Sequence, residues 1–267
     1  MKKIIPCYFA VLAFTCARPV CAQYTDSLPV SKAADTVRLS INWDNPQQKR
    51  VFPHRSFILP AAMVAYGVVT LNSNQLRSLN EKVKEEVYTE RSNKDKIHID
   101  NVLLYAPAAA VYGLNAMGIK GKNNFRDRTM LYAMSQLIQS AVVFPVKKLV
   151  AENRPDESNR LSFPSGHTAC AFASAEFMRQ EYKDVSPWYG VAGYAAAAST
   201  GFLRMYNNKH WLSDVVAGAG IGIMSTRLSY WIYPLIKRKL FKDKAVSTVV
   251  MPLYQDGALA LGLVHHF

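Results

Sequence analysis

Cysteine is scarce in this chain: of four in 267 residues, Cys7, Cys16 and Cys21 fall in the first 22 positions, which leaves Cys170 as the single later thiol. One thiol makes no internal disulfide, and the absence of a Cys/His cluster at zinc spacing argues against a cysteine-ligated structural metal. The chain also lacks an internal repeat, a low-complexity tract and a recognisable nucleic-acid module. Its formal charge is +13, but the basic residues are scattered, so nucleic acid is not the expected partner.

What is present begins with an export signal. Lys2 and Lys3 form a positive start, Ile4 to Ala17 an apolar stretch, and Val20-Cys21-Ala22 a small-residue cleavage site, so residues 1–22 read as a signal peptide and Gln23 as the mature start. Removing Lys2, Lys3 and Arg18 lowers the charge by three to +10, which still favours an anionic partner such as anionic lipid or a phosphorylated substrate. Residues 23–56 read as an extended leader: polar, proline-bearing and without a sustained period.

From Phe57 to Leu240 the chain reads as a helical domain. Uncharged stretches at Ile58 to Leu76, Val102 to Ile119, Thr129 to Val146 and Val185 to Leu203 each approach the length of a membrane span. Two more apolar segments, Gly166 to Met178 and Val215 to Ile236, are interrupted by Glu176 and Arg227, giving a coarse count of six helices. Between the first two stretches, Arg77 to Asp100 mixes six basic and six acidic residues around Leu79, Val83 and Val87, the pattern of an amphipathic surface helix with a solvated face. Residues 241–267 switch to a strand-like pattern, with Gln255-Asp256-Gly257 between Val246 to Tyr254 and Ala258 to Phe267, and read as a β-hairpin. The expected class is all-α with this small C-terminal hairpin.

Three motifs in the helical part carry chemistry. The first is Lys147 followed, seven residues on, by Arg154-Pro155, with Pro155 expected to end a helix and hold Arg154 extended. A guanidinium fork and an ammonium suit the neutralisation of a phosphoryl dianion. The second is Pro164-Ser165-Gly166-His167, a tight helix start whose free amides point at an anion as at other helix N-termini; Ser165 is also a fitting N-cap. A helix start disfavours imidazolium, so His167 needs a nearby anion to stay protonated as a general acid. The third is Arg204, His210 and Asp214. The last two, four apart, share one face if helical, so the carboxylate fixes the imidazole tautomer and leaves the other nitrogen as nucleophile or base.

This ordered set resembles the signature of the type-2 phosphatidic acid phosphatase (PAP2) and vanadium haloperoxidase superfamily, over about Phe57 to Leu240. The resemblance implies a six-helix bundle with all three motifs at one end. It further implies that His210 attacks phosphorus, Asp214 orients it and His167 protonates the leaving alkoxide. Lys147, Arg154, Arg204 and the amides near Ser165 and Gly166 would then hold the phosphoryl oxygens. No metal or cofactor is expected, and vanadate should inhibit. One departure stands out: the family usually has serine just before the arginine of the third motif, where this chain has Leu203, so one hydroxyl contact is lost and altered affinity or specificity is expected.

The expected activity is metal-independent hydrolysis of phosphate monoesters or diphosphates of a membrane lipid through a phosphohistidine. The expected location is the cell envelope, on or in the membrane and facing the periplasm. The alternatives are a soluble periplasmic acid phosphatase, a vanadium-dependent haloperoxidase and a non-enzymatic protein that binds anionic lipid. Six spanning helices after a cleaved signal would put Lys147 and Arg154 on the cytoplasmic side, against that expectation.

Overall fold

The computed structural model describes residues 52–92, 94–240, 248–255 and 258–265. The predicted signal, nearly all of the leader and the Asp256-Gly257 turn lie outside the described residues. Eight α-helices run in order: α1 (His54–Thr70), α2 (Asn74–Lys84), α3 (Asp100–Leu103), α4 (Ala106–Ala116), α5 (Phe125–Val150), α6 (Gly166–Tyr182), α7 (Pro187–Tyr206) and α8 (Leu212–Leu240), with a π-helical turn, Glu85–Thr89, after α2. Strands β1 (Thr248–Gln255) and β2 (Ala258–His265) pair antiparallel, Thr248 opposite His265 and Gln255 opposite Ala258.

Among the described residues the count of six helices is therefore corrected to eight. The first apolar stretch does not run through to Leu76: α1 stops at Thr70, and α2 starts after Ser73, whose hydroxyl accepts from the Leu76 N–H. A serine that satisfies an orphan amide starts a helix more effectively than the apolar run extends one. The second stretch breaks at Leu104-Tyr105 ahead of Pro107, which sits in the first turn of α4 where a missing N–H costs nothing. The charged stretch from Arg77 likewise leaves the helix after Thr89, short of Asp100.

Among the described residues, one helix, α5, is long and apolar enough to cross a membrane. A second candidate is α1 followed by Asn74–Thr89, bent by 97° at the break between them. The expectation of four span-length stretches is not met: α4 has 11 residues, and α7, with its tyrosines and Arg204, is not apolar enough to pass as a span.

The bundle is built around α6, which packs on α4, α5, α7 and α8. It buries Ala169, Ala171, Ala173, Ala175, Phe177, Met178 and Tyr182, residues on nearly all its faces, as a central helix must. Phe177 and Val111 are fully buried, which stabilises by roughly 1.5–3 kcal/mol per side chain. Small residues bring α8 close: a Cβ at Gly218 would lie 2.5 Å from the Ser165 carbonyl oxygen, and one at Gly222 only 2.2 Å from that of Ala169. The glycine at 218 thus lets α8 rest on the start of α6, where the second motif lies.

The charges that interrupt the two apolar segments meet each other. Arg227 Nε donates to Glu176 Oε1 at 2.9 Å, and Arg179, Gln180 and Tyr194 also donate to this fully buried carboxylate. A buried charge with this many donors is compensated.

Candidate active site

Each motif is placed by a helix end. α5 delivers Lys147 in its last turn and ends at Val150, where Ala151 turns left-handed with φ 49° and its N–H returns to the Lys147 carbonyl at 3.1 Å. A non-glycine residue there costs on the order of 1 kcal/mol. This corrects the expectation that Pro155 ends the helix: the end comes five residues earlier. The chain beyond is fastened by Arg154 N–H to the Asn159 carbonyl, 3.1 Å. Lys147 Nζ donates to the carbonyls of Leu161 and Ser162, at 2.7 and 3.2 Å, and so ties the first motif to the approach of the second.

Ser165 caps α6: its hydroxyl oxygen accepts from Thr168 N–H at 3.4 Å and from Thr168 Oγ1 at 2.9 Å. Its own N–H is not free as expected, because it donates to the Asp214 carbonyl at 3.0 Å. Gly166 and His167 carry the amides for which no acceptor is found among the described residues, at the positive end of a helix of 17 residues.

The third motif differs from the expected helical pair. α8 begins at Leu212, so His210 precedes it, and the contact to Asp214 crosses the helix start, with Nδ1 3.4 Å from Oδ2. Asp214 also accepts from Trp211 N–H at 2.9 Å and from Ser162 Oγ at 2.5 Å, both on Oδ2. These bonds hold the carboxylate as a fixed orienter of the ring. Burial pulls His210 down to about 4, with Lys147 and Arg204 adding to burial and Asp214 opposing it, so the ring is neutral near pH 7.

The cations converge on this point. Arg154 is pulled below its ordinary value by burial and then by Arg204, and the same two causes hold His167 down at about 4. Nε of Arg154 and Nε of Arg204 are both buried without a hydrogen-bond partner among the described residues. Adjacent guanidinium groups with unused donors are a receptor for an anion. Among the described residues no group of three His, Cys, Asp or Glu side chains is arranged to hold a metal ion.

Several participants carry no motif. Asp100 Oδ2 lies 2.5 Å from Arg204 Nη1, and Asn101 Oδ1 lies 2.9 Å from His167 Nε2. The stretch weighed as a solvated face therefore sends its last residue into the site. Asn80, the buried residue of α2, exchanges two hydrogen bonds with Ser213, from Nδ2 to Oγ at 2.9 Å and from Ser213 N–H to Oδ1 at 3.1 Å, bracing the start of α8. Only the polarity of these residues inside an otherwise helical pattern marked them.

Glu152 lies against Asp214. Burial, and then the Asp214 charge, push its carboxyl up to about 8, so that one proton on Glu152 supplies the donor that two carboxylates lack. Oε2 of Glu152 and Oδ1 of Asp214 are otherwise both buried without partners among the described residues. A folded value raised above the ordinary 4.5 gives stability that is full below pH 4.5 and is lost as pH rises through 8. Glu152→Gln, neutral at every pH, should therefore unfold at a higher temperature than wild type at pH 9, with the gap closing by pH 5. Thermal unfolding across that range measures it, and parallel curves would contradict the assignment.

A helical bundle with an anion receptor, two histidines and an orienting carboxylate at one end describes a class of phosphoryl- or oxyanion-handling protein. Residues 128–238, which carry all three motifs, match the PAP2 superfamily. Among curated proteins, the lipid A 1-phosphatase of Porphyromonas gingivalis is 34% identical over 198 residues, covering 74% of this chain and 42% of that protein. The chain thus spans less than half the length of this curated relative. Two solved structures are similar at 20% identity. Aquifex aeolicus LpxE has a TM-score of 0.44 over 57% of this chain and 94% of that one. The PAP2-type phosphatidylglycerolphosphate phosphatase of Bacillus subtilis has 0.49 over 67% and 98%.

Proposed function

We propose that this protein is a lipid phosphate phosphatase of the cell envelope that works through a phosphohistidine on His210. The observation that carries the reading is the meeting of Lys147, Arg154 and Arg204 beside two histidines, with two guanidinium Nε groups unpartnered. A phosphoryl transition state spreads charge over equatorial oxygens, which these cations and the Gly166 and His167 amides neutralise without reorganising. Neutral His210 attacks phosphorus in line, Asp214 holds its ring and stabilises the imidazolium, and His167, which takes up its second proton when the phosphate dianion binds beside it, gives that proton to the leaving oxygen. The phosphohistidine then reacts with water, from which His167 takes a proton.

The substrate class follows from the lipid A 1-phosphatase relative and from the surface: a phosphorylated membrane lipid, with a lipid A 1-phosphate the first to test. Leu137, Phe144 and Leu149 of α5 are 70, 64 and 83% exposed, and Ile58 and Leu59 of α1 are 64 and 69% exposed. Apolar faces of this kind suit contact with lipid. The site is assigned to the periplasmic side, after export by the signal peptide.

Because the positive charge comes from side chains, phosphate release by the purified protein should continue in excess EDTA and fall with added vanadate. Loss of activity on chelation, restored by magnesium or zinc, would sink this mechanism.

A further inference from the structure

Residues 97–101 stand outside the three motifs, yet two of their side chains end on motif residues. The stretch is fastened to the turn that leads to His210: Asn207 Nδ2 donates to the Ile97 carbonyl at 2.7 Å, and its Oδ1 accepts from Ile97 N–H at 2.9 Å. α3 then begins with Asp100, fully buried on Arg204, and Asn101, which faces His167. An asparagine that is exposed has little packing to gain, so its contact with a catalytic-site imidazole needs another explanation.

We propose that Asn101 and Asp100 are positioning residues for phosphoryl transfer: the Asn101 carbonyl oxygen keeps a hydrogen on His167 Nε2, and Asp100 holds Arg204 and supplies the negative charge beside the ring. This rests on reading the site as a phosphatase. The groups facing His167 are Arg204 on α7, Lys147 on α5, Arg154 in the loop after α5, and Asp100 on α3. Three of these are cations that, with burial and the helix start, oppose imidazolium. Of these four charged groups Asp100 opposes the other three, and Asn101 adds an acceptor for the N–H. A general acid must keep its proton until the leaving oxygen takes it, and these two side chains let His167 do so. With Nε2 protonated, the tautomer of the neutral ring is also fixed, leaving Nδ1 with the lone pair.

The test uses the full-length protein in detergent, with alkyl phosphate and nitrophenyl phosphate esters as probes. Asn101→Ala should lower kcat/KM on alkyl esters about tenfold, a part of the ~10²–10⁴ that general acid catalysis contributes, and less on nitrophenyl phosphate. The basic limb of its pH profile should move to lower pH. Asn101→Asp, a charged acceptor, should move that limb to higher pH, and Asp100→Asn should move it as Asn101→Ala does. In a His167→Ala background, Asn101→Ala should cost nothing further. A uniform loss on all esters with an unmoved pH profile, or an additive loss in the double variant, would overturn the proposal. Were wild type inactive on every phosphate ester, the phosphatase reading would fall instead. The His167 ring nitrogens, followed by NMR, would then decide the inference alone: Nε2 protonated in wild type and altered in Asn101→Ala supports it, and unchanged nitrogens overturn it.

Discussion

His210→Ala is expected to lower phosphate release by at least about 10⁴-fold, the scale on which histidine-based catalysts fail when the reacting imidazole is removed. His210 is 3% exposed, its Nδ1 faces Asp214, and it is neutral near pH 7, so Nε2 is the nitrogen left for phosphorus. Among the described residues, no other imidazole lies beside the orienting carboxylate. Asp214→Asn is nearly isosteric and should keep the fold, but an amide is a poorer partner for the imidazolium. Turnover should fall by about two to four orders of magnitude. Phosphate release, with circular dichroism as the check on folding, measures both variants. Near-normal turnover in His210→Ala would remove the proposed nucleophile.

His167→Ala should slow alkyl ester hydrolysis by about 10²–10⁴-fold, with the defect shrinking as the pKa of the leaving group falls. An alkoxide is a poor leaving group unless protonated, whereas nitrophenolate departs unaided. A series of esters with graded leaving groups reads this as a slope. Equal defects on every ester would assign His167 to binding or structure.

The residues of the candidate site were legible because motifs are local: Lys147 to Pro155, Pro164 to His167 and Arg204 to Asp214 each fix residue types within a few positions of a helix end. What brought them together was not. The ion pair of Asp100 with Arg204 joins residues 104 apart, and the contact of Asn101 with His167 joins residues 66 apart, separations at which no sequence period operates. Helix number failed for a related reason. Apolar runs predict burial, but the Ser73 cap and the break before Pro107 decide where a helix begins. Glu176 and Arg227 read as flaws in two spans because each was weighed alone, although in the fold each compensates the other. The expected pair of His210 and Asp214 came together with a different backbone, since Asp214 accepts from Trp211 N–H at the start of α8 and leaves His210 outside the helix.

The central claim is covalent transfer to His210, and rapid quenching of the wild-type protein with radiolabelled substrate tests it most directly. A phosphoramidate survives alkali and is lost in acid, so the account predicts protein-bound label with that stability, mapping to the peptide that contains His210. Label that resists acid, or that maps to His167, would contradict it.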